Sequence, residues 1–213
     1  WRRSAKGTRL YVRETELETA RTYLFWVDPS EGFAFNSKDS LPEKADRALV
    51  LSMALAGALS RAGERCGVLG GGRSAVSGAR AISRVGEDMR ELPADSVFPR
   101  PPREHASAII CSDFYAPIEE WRARLQPLAA KCREGLLVQV CDPLEVAFPF
   151  EGRTRFARPG ESQNRIVGKA ESIREGYLKR FAERREAMTA LAAGLGWRFM
   201  SHETTEEARI ALG

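Results

Sequence analysis

No apolar run in this chain approaches the roughly 18 residues a membrane helix needs, and the first residues, WRRSAKGTR, lack the apolar segment of a signal peptide. A soluble chain is expected, with no membrane contact in this stretch. Histidine and cysteine are scarce. His105 and His202 are the two histidines, and the four cysteines, Cys66, Cys111, Cys132 and Cys141, show no CxxC spacing, which argues against a tetrahedral Cys/His zinc site. Three of the thiols lie in or beside apolar runs, where a thiol acts as a small hydrophobe; buried free thiols in a reducing cytoplasm are the expectation. Concentrated charge is lacking as well. The net charge is +4 and the pI near 9.0, yet the arginines are scattered through mixed stretches such as YLKRFAERREAM. Without a basic patch, stacking aromatics or a reading motif, no nucleic-acid partner is expected. GGGRSA has neither the lysine of a P-loop nor the spacing of a dinucleotide fingerprint, and GRSAVSG is not a G-x-S-x-G elbow. Neither histidine has the context of a triad, and His202, in SHET, reads as a loop or capping residue. No catalytic residue is assigned.

What is present is an alternation of apolar runs and amphipathic helices. The 213 residues, 43% hydrophobic, can bury one sizeable core, and a single α/β domain over 1–213 is predicted. It starts at Trp1 rather than Met, so an upstream portion is expected to be absent. TYLFWV (22–27) reads as a strand, PEKADRALVLSMALAGALSRAG (42–63) as a helix with Pro42 near its start, and CGVLGGG (66–72) as a short strand with RSAVSG as its hairpin partner. A helix from about Ala79 to Arg90 follows, then a loop, LPADSVFPRPPREH, rich in proline and charge. SAIICSD (107–113) is the next strand. Pro117 opens the helix IEEWRARLQPLAAKC, with Pro127 as a kink, and GLLVQVCDP (135–143) is a further strand. FPFEGRTRFARPG suggests a hairpin, Ala170 to Leu195 a long helix ended by glycine, WRFMS the last strand and TTEEARIAL the last helix. Strands separated by helices of this length imply a doubly wound, mostly parallel sheet with helices on both faces, because parallel crossovers need a dozen or more residues. Burial on both faces also explains why the strands read as continuous apolar runs.

Three of those runs end in aspartate: Asp28, Asp113 and Asp142. Ligands of open α/β sheets bind beyond the carboxyl ends of the strands, and carboxylates gathered there need protons or a cation. Oxygen ligands favour magnesium or calcium over zinc. For Asp142, followed by Pro143, helix capping is the preferred reading. Asp28 has Ser30 two residues on, able to offer a hydroxyl from the same loop.

DPSEG (28–32), the long helix after it and CSDF (111–114) resemble the metal-ion-dependent adhesion site of von Willebrand factor A-like domains, whose first loop reads D-x-S-x-S and whose third loop gives an aspartate. The wider resemblance, through WRRSAK, LYVRETELE, DPSEGFAF, KADRALVLSMALA, VCDPLEVAFPFEGRTRF and GWRFMSHETTEEA, is to the bacterial domain-of-unknown-function family 58, typically encoded beside MoxR-type AAA+ ATPases. It implies a von Willebrand A-like fold, a protein-binding rather than enzymatic role, a MoxR-type ATPase or its client as partner, and magnesium or another divalent cation held by Asp28, Ser30 and Asp113. Gly32 stands where the pattern has its second hydroxyl, and only Ser74 and Ser77 are available between 70 and 80 for the second-loop threonine. Two alternatives accompany this reading. One is a metal-assisted phosphoesterase or other hydrolase using the acidic rim; the other is a structural module whose rim acids are satisfied by backbone amides or by nearby arginines such as Arg153 and Arg155.

Overall fold

The computed structural model describes residues 20–93, 98–157 and 164–207. Seven strands and five α-helices follow in the order β1 (Thr22–Val27), α1 (Lys44–Arg61), β2 (Arg65–Val68), α2 (Arg80–Arg90), β3 (Ala106–Ser112), α3 (Ile118–Ala129), β4 (Cys132–Cys141), α4 (Pro143–Ala147), β5 (Thr154–Ala157), β6 (Asn164–Val167), α5 (Arg174–Gly194) and β7 (Arg198–Glu203). Five strands form one sheet in the order β2-β1-β3-β4-β7, every pair parallel; β5 and β6 form a separate antiparallel pair.

The doubly wound architecture follows from the two-residue alternation of side chains along each strand. In β3, Ala108 and Ile110 face one helical layer, packing with Trp121, Leu125 and Leu128 of α3 and Met188 and Leu191 of α5. Ile109 and Cys111 face the other, against Ala56 of α1 and Val85 of α2, and against Ala48 and Leu51 of α1. α1 approaches the sheet closely because the residues it buries are mostly small: Ala48, Ser52, Ala56, Gly57 and Ser60. A Cβ on Gly57 would stand 3.0 Å from Ile82 Cδ1 of α2, so this glycine sets the spacing of the two helices.

Chain order places a topological switch between β1 and β3: from β1 the chain goes outward to β2, and from β3 it goes the other way to β4 and β7. β2 has a stub of antiparallel partner, since Cys66 and Val76 exchange backbone hydrogen bonds at 2.7 and 2.9 Å, the pairing expected for RSAVSG. α2 shares the face of α1, whereas Phe98 packs on the opposite face, its ring 4.9 Å from Trp26 and 6.1 Å from Trp121. Pro99 lies against the turn after β2, where Gly70 (φ 82°) leaves room for it; a Cβ on Gly70 would lie 2.8 Å from that of Pro99.

Several boundaries differ from expectation. β2 stops at Val68, and Gly70 to Gly72 belong to the turn beyond it. β4 starts three residues early, at Cys132. The second strand of the β5-β6 pair, Asn164–Val167, lies past the stretch read as a hairpin. The long C-terminal helix opens with a 3-10 turn, Ala170–Ile173. β7 continues to Glu203, so His202 is a buried strand residue and not a loop or capping residue: although β7 is the edge strand, His202 pairs with the buried Val140 of β4 and is the one fully covered position of β7. Of the last predicted helix, Thr204 and Thr205 form a turn and 208–213 lie outside the described residues. Pro127 is accommodated inside α3, near its end. All four cysteines are free and buried. Burial pushes the thiols up, Cys66 and Cys132 to about 11, Cys111 and Cys141 to about 12.

Candidate functional site

The parallel register of β1 with β3 pairs Val27 with Cys111 and so brings the residues after them to the same lip of the sheet. The Asp28 N–H donates to the Cys111 carbonyl at 2.9 Å. Asp28 then shapes its own loop: Oδ1 accepts the Ser30 N–H at 3.0 Å, an Asx turn, while Oδ2 accepts the Ser112 hydroxyl of β3 at 2.6 Å. The loop closes through Phe33 N–H to the Ser30 carbonyl at 2.9 Å, and Phe33 is fully buried. Its carbonyls finish the job of a helix cap. Phe35 accepts the Lys44 N–H at 2.9 Å and Phe33 the Ala45 N–H at 3.2 Å, satisfying donors that the first turn of α1 leaves free.

Lys44 is the first residue of that helix and is 1% exposed. An ammonium at the positive end of a helix dipole is misplaced by itself. Here it lies 3.2 Å from Asp113 Oδ2 and 2.8 Å from Glu145 Oε1, two carboxylates that are 15% and 16% exposed. Three aromatic rings complete the enclosure, with centroids 5.8, 5.7 and 5.2 Å away in Phe33, Phe35 and Tyr115, inside cation–π range. Burial opposes the charged form of Lys44, but Asp113 and Glu145 outweigh it and hold the ammonium above its ordinary pKa. Burial raises the Asp113 carboxyl; Lys44 and the Tyr115 N–H counter it, and the neighbouring Asp28 charge adds to the rise. Glu145 is raised by burial too, against Lys44.

The supports of these groups are polar residues in otherwise apolar strands. Asp113 Oδ1 accepts the Tyr115 N–H at 3.0 Å. The Asp113 carbonyl accepts from Gln139 Nε2 of β4 at 3.0 Å, and Gln139 Oε1 accepts the Ser201 hydroxyl of β7 at 3.0 Å. Phe114, next in the chain, is fully buried with φ 55°, its N–H donated to the Ser112 hydroxyl at 3.2 Å. Asp142 is the capping residue expected of it: Oδ1 takes the Leu144 N–H at 2.8 Å, and Glu145 Oε2 takes the Asp142 N–H at 2.9 Å, a capping box. Asp142 Oδ2 also accepts the Ser37 N–H at 2.9 Å, fastening the first loop to α4.

Above the lip opens a groove of about 1370 Å³, lined by Asp28, Lys44, Asp113 and Glu145 and by Trp26, Phe98 and Trp121. Phe148, Phe150, Phe156 and Tyr177 line it as well. Phe148 stacks on Phe156 at 5.6 Å and leans on Tyr177 at 4.4 Å, with Phe150 edge-on at 5.1 Å. Phe148 holds a left-handed conformation, φ 44°, fixed by Arg174 Nε donating to its carbonyl at 2.9 Å.

Of the residues expected at an ion site, Asp28 and Asp113 share this lip and Ser30 is exposed on the first loop. As placed, they do not present an open oxygen set to a divalent ion. Asp113 Oδ2 is taken by Lys44, both Asp28 oxygens accept protein donors, and magnesium or calcium requires six or more oxygen ligands. Among the described residues no three His, Cys, Asp or Glu side chains are arranged to hold a metal ion. The cation paired with the rim acids is Lys44; Arg153 and Arg155 are exposed. Sequence reasoning passed over Lys44, Glu145 and Gln139. Each carried a signal: a lysine in the first helical turn, the D-x-x-E spacing of a capping box, and a glutamine inside the run GLLVQVC.

Fold and lip define a doubly wound α/β module whose strand-end acids at the switch point are bound to an internal ammonium. The chain belongs to the family described as Protein of unknown function DUF58, whose model matches residues 1–187. It is 25% identical over 227 aligned residues to Uncharacterized protein Rv1480 of Mycobacterium tuberculosis, and likewise to Uncharacterized protein Mb1516 of Mycobacterium bovis, the alignment covering 97% of this chain and 70% of each relative. No helix among the described residues is long and apolar enough to cross a membrane.

Proposed function

We propose that this chain is a non-enzymatic protein-interaction module of von Willebrand A type, which docks a MoxR-type AAA+ ATPase or its client at the lip and groove above β1 and β3. The observation that carries the reading is the groove itself: some 1370 Å³, lined by aromatic rings together with Asp28, Asp113 and Lys44. Aromatic side chains offer large contact area with little entropy to lose, which suits recognition of a protein segment. The resemblance to a family typically encoded beside MoxR-type ATPases supplies the partner class.

The test is co-precipitation with a MoxR-type AAA+ ATPase from the same organism, with ATP, ADP or no nucleotide, and with magnesium supplied or chelated so that the ion expectation at Asp28, Ser30 and Asp113 is a variable of the same experiment. Association is expected in at least one nucleotide state, reduced ten-fold or more by Ser30→Arg at the exposed tip of the first loop. No association in any nucleotide state, or association indifferent to Ser30→Arg, overturns the reading.

A further inference from the structure

We infer that Lys44 is the built-in counter-cation of the lip: its ammonium occupies a receptor shaped for a primary amine, and the strand-end acids are held in place without a divalent ion. The chemistry of the enclosure separates the two kinds of cation. Two carboxylate oxygens, at 3.2 and 2.8 Å, accept N–H bonds from an ammonium that has three to give. The remaining surroundings include the rings of Phe33, Phe35 and Tyr115, all within 5.8 Å. Ring faces attract a monovalent ammonium but cannot replace the water or oxygen shell of magnesium or calcium. Side-chain placement agrees with the charge count. Asp113 follows β3 directly and Glu145 lies in α4, just past the adjacent strand β4, and the two would repel each other if left bare at this depth. Lys44 reaches them from a third element, and its backbone is anchored independently by the Phe35 carbonyl. The inference concerns the chemistry of the lip and stands apart from the identity of the docking partner.

The experiment is thermal unfolding of the wild type and of Lys44→Ala, each with magnesium chloride, calcium chloride, potassium chloride or propylammonium chloride at matched ionic strength, alongside calorimetric titration of the wild type with the two divalent ions. The wild-type Tm is expected to be the same in magnesium, calcium and potassium, with no heat of binding. Lys44→Ala is expected to lower Tm on the order of 10 °C, as loss of one partner from a buried ion pair does, and propylammonium, which restores the severed end of the side chain, is expected to recover a measurable part of that loss. The inference is overturned by divalent-ion binding to the wild type, by rescue of Lys44→Ala with magnesium or calcium, or by propylammonium acting no better than potassium. Should Lys44→Ala fail to fold, Lys44→Met takes its place for the divalent-ion arms, and the wild-type titrations decide the matter by themselves.

Discussion

His202 is 1% exposed on β7, with Nδ1 3.2 Å from a Glu206 oxygen. Burial depresses its pKa below the usual histidine value; the carboxylates of Glu206 and Glu203 pull the other way, and the Arg47 charge reinforces burial. In the window between the depressed folded pKa and the unfolded value of about 6.5, the unfolded chain binds more protons, so stability rises with pH there and falls as pH drops below about 6.5. His202→Phe is expected to flatten that slope. Urea unfolding at pH 7.5 and 5.0 checks it: the variant should lose less stability than the wild type between the two, and equal losses sink the assignment. His202 illustrates what one residue's sequence context conveys. Its neighbours Ser201 and Glu203 suggest a polar loop, and burial becomes evident only once Val140 of β4 is seen opposite it. Lys44 was legible in part, because a lysine in a first helical turn is electrostatically out of place. Its partners Asp113 and Glu145, 69 and 101 residues on, were not, since only the strand order brings them together.

At the scale of elements, β4 depends on a glycine. A Cβ on Gly135 would fall 2.0 Å from Trp197 Cδ2, inside the indole, and Trp197 is itself buried with Nε1 donating to the Cys132 carbonyl at 3.0 Å. The strand has given up a side chain so that the residue preceding β7 can lie across it. Gly135→Ala must displace that ring, at a cost of about 1–3 kcal/mol or more, whereas in a Trp197→Ala background the same substitution has space. A double-mutant cycle by denaturant unfolding is expected to show a coupling above about 1 kcal/mol; additive losses mean the glycine has another role. This pairing was hidden in the sequence, where GLLVQVC reads as a strand whose first residue is a glycine terminator rather than a seat for an aromatic. The alternation of strands and helices was open to reading, because burial on both faces writes itself as apolar runs with turns between them. Asp142 was equally open, since Asp-Pro followed by Glu145 carries its capping chemistry within four residues. Boundaries such as Cys132 for β4 were not, because they depend on where the neighbouring strand stops.

Across the whole molecule the lip is a brace between segments far apart in the chain. Asp28 and Ser30 come from the loop after β1, Lys44 from α1, Asp113 from beyond β3, and Asp142 with Glu145 from the start of α4; the Ser112–Asp28 and Ser37–Asp142 hydrogen bonds and the two ion pairs of Lys44 join them. The apolar core of the opposite helical layer, Trp121, Leu125, Met188 and Leu191, shares none of these ties, although Arg174 and Arg184 of α5 donate to the Phe148 and Ala116 carbonyls. Stability is thus divided between an apolar layer and a polar brace, and regions resting on different interactions open separately. Taking away the ammonium leaves Asp113 and Glu145 buried without their cation, which loosens every segment the brace joins while α3 and α5 keep their packing. In Lys44→Met, amide hydrogen exchange should quicken together in residues 28–37, 113–116 and 142–148, with the Ser37 amide, a donor to Asp142 Oδ2, among the most affected. Protection of α3 and of α5 from Met188 onward, where the helix is buried in the apolar core, should be unchanged under conditions where the protein remains folded. Exchange that quickens only beside residue 44, or equally in both layers, would show that the lip is not a unit and that Lys44 serves α1 alone.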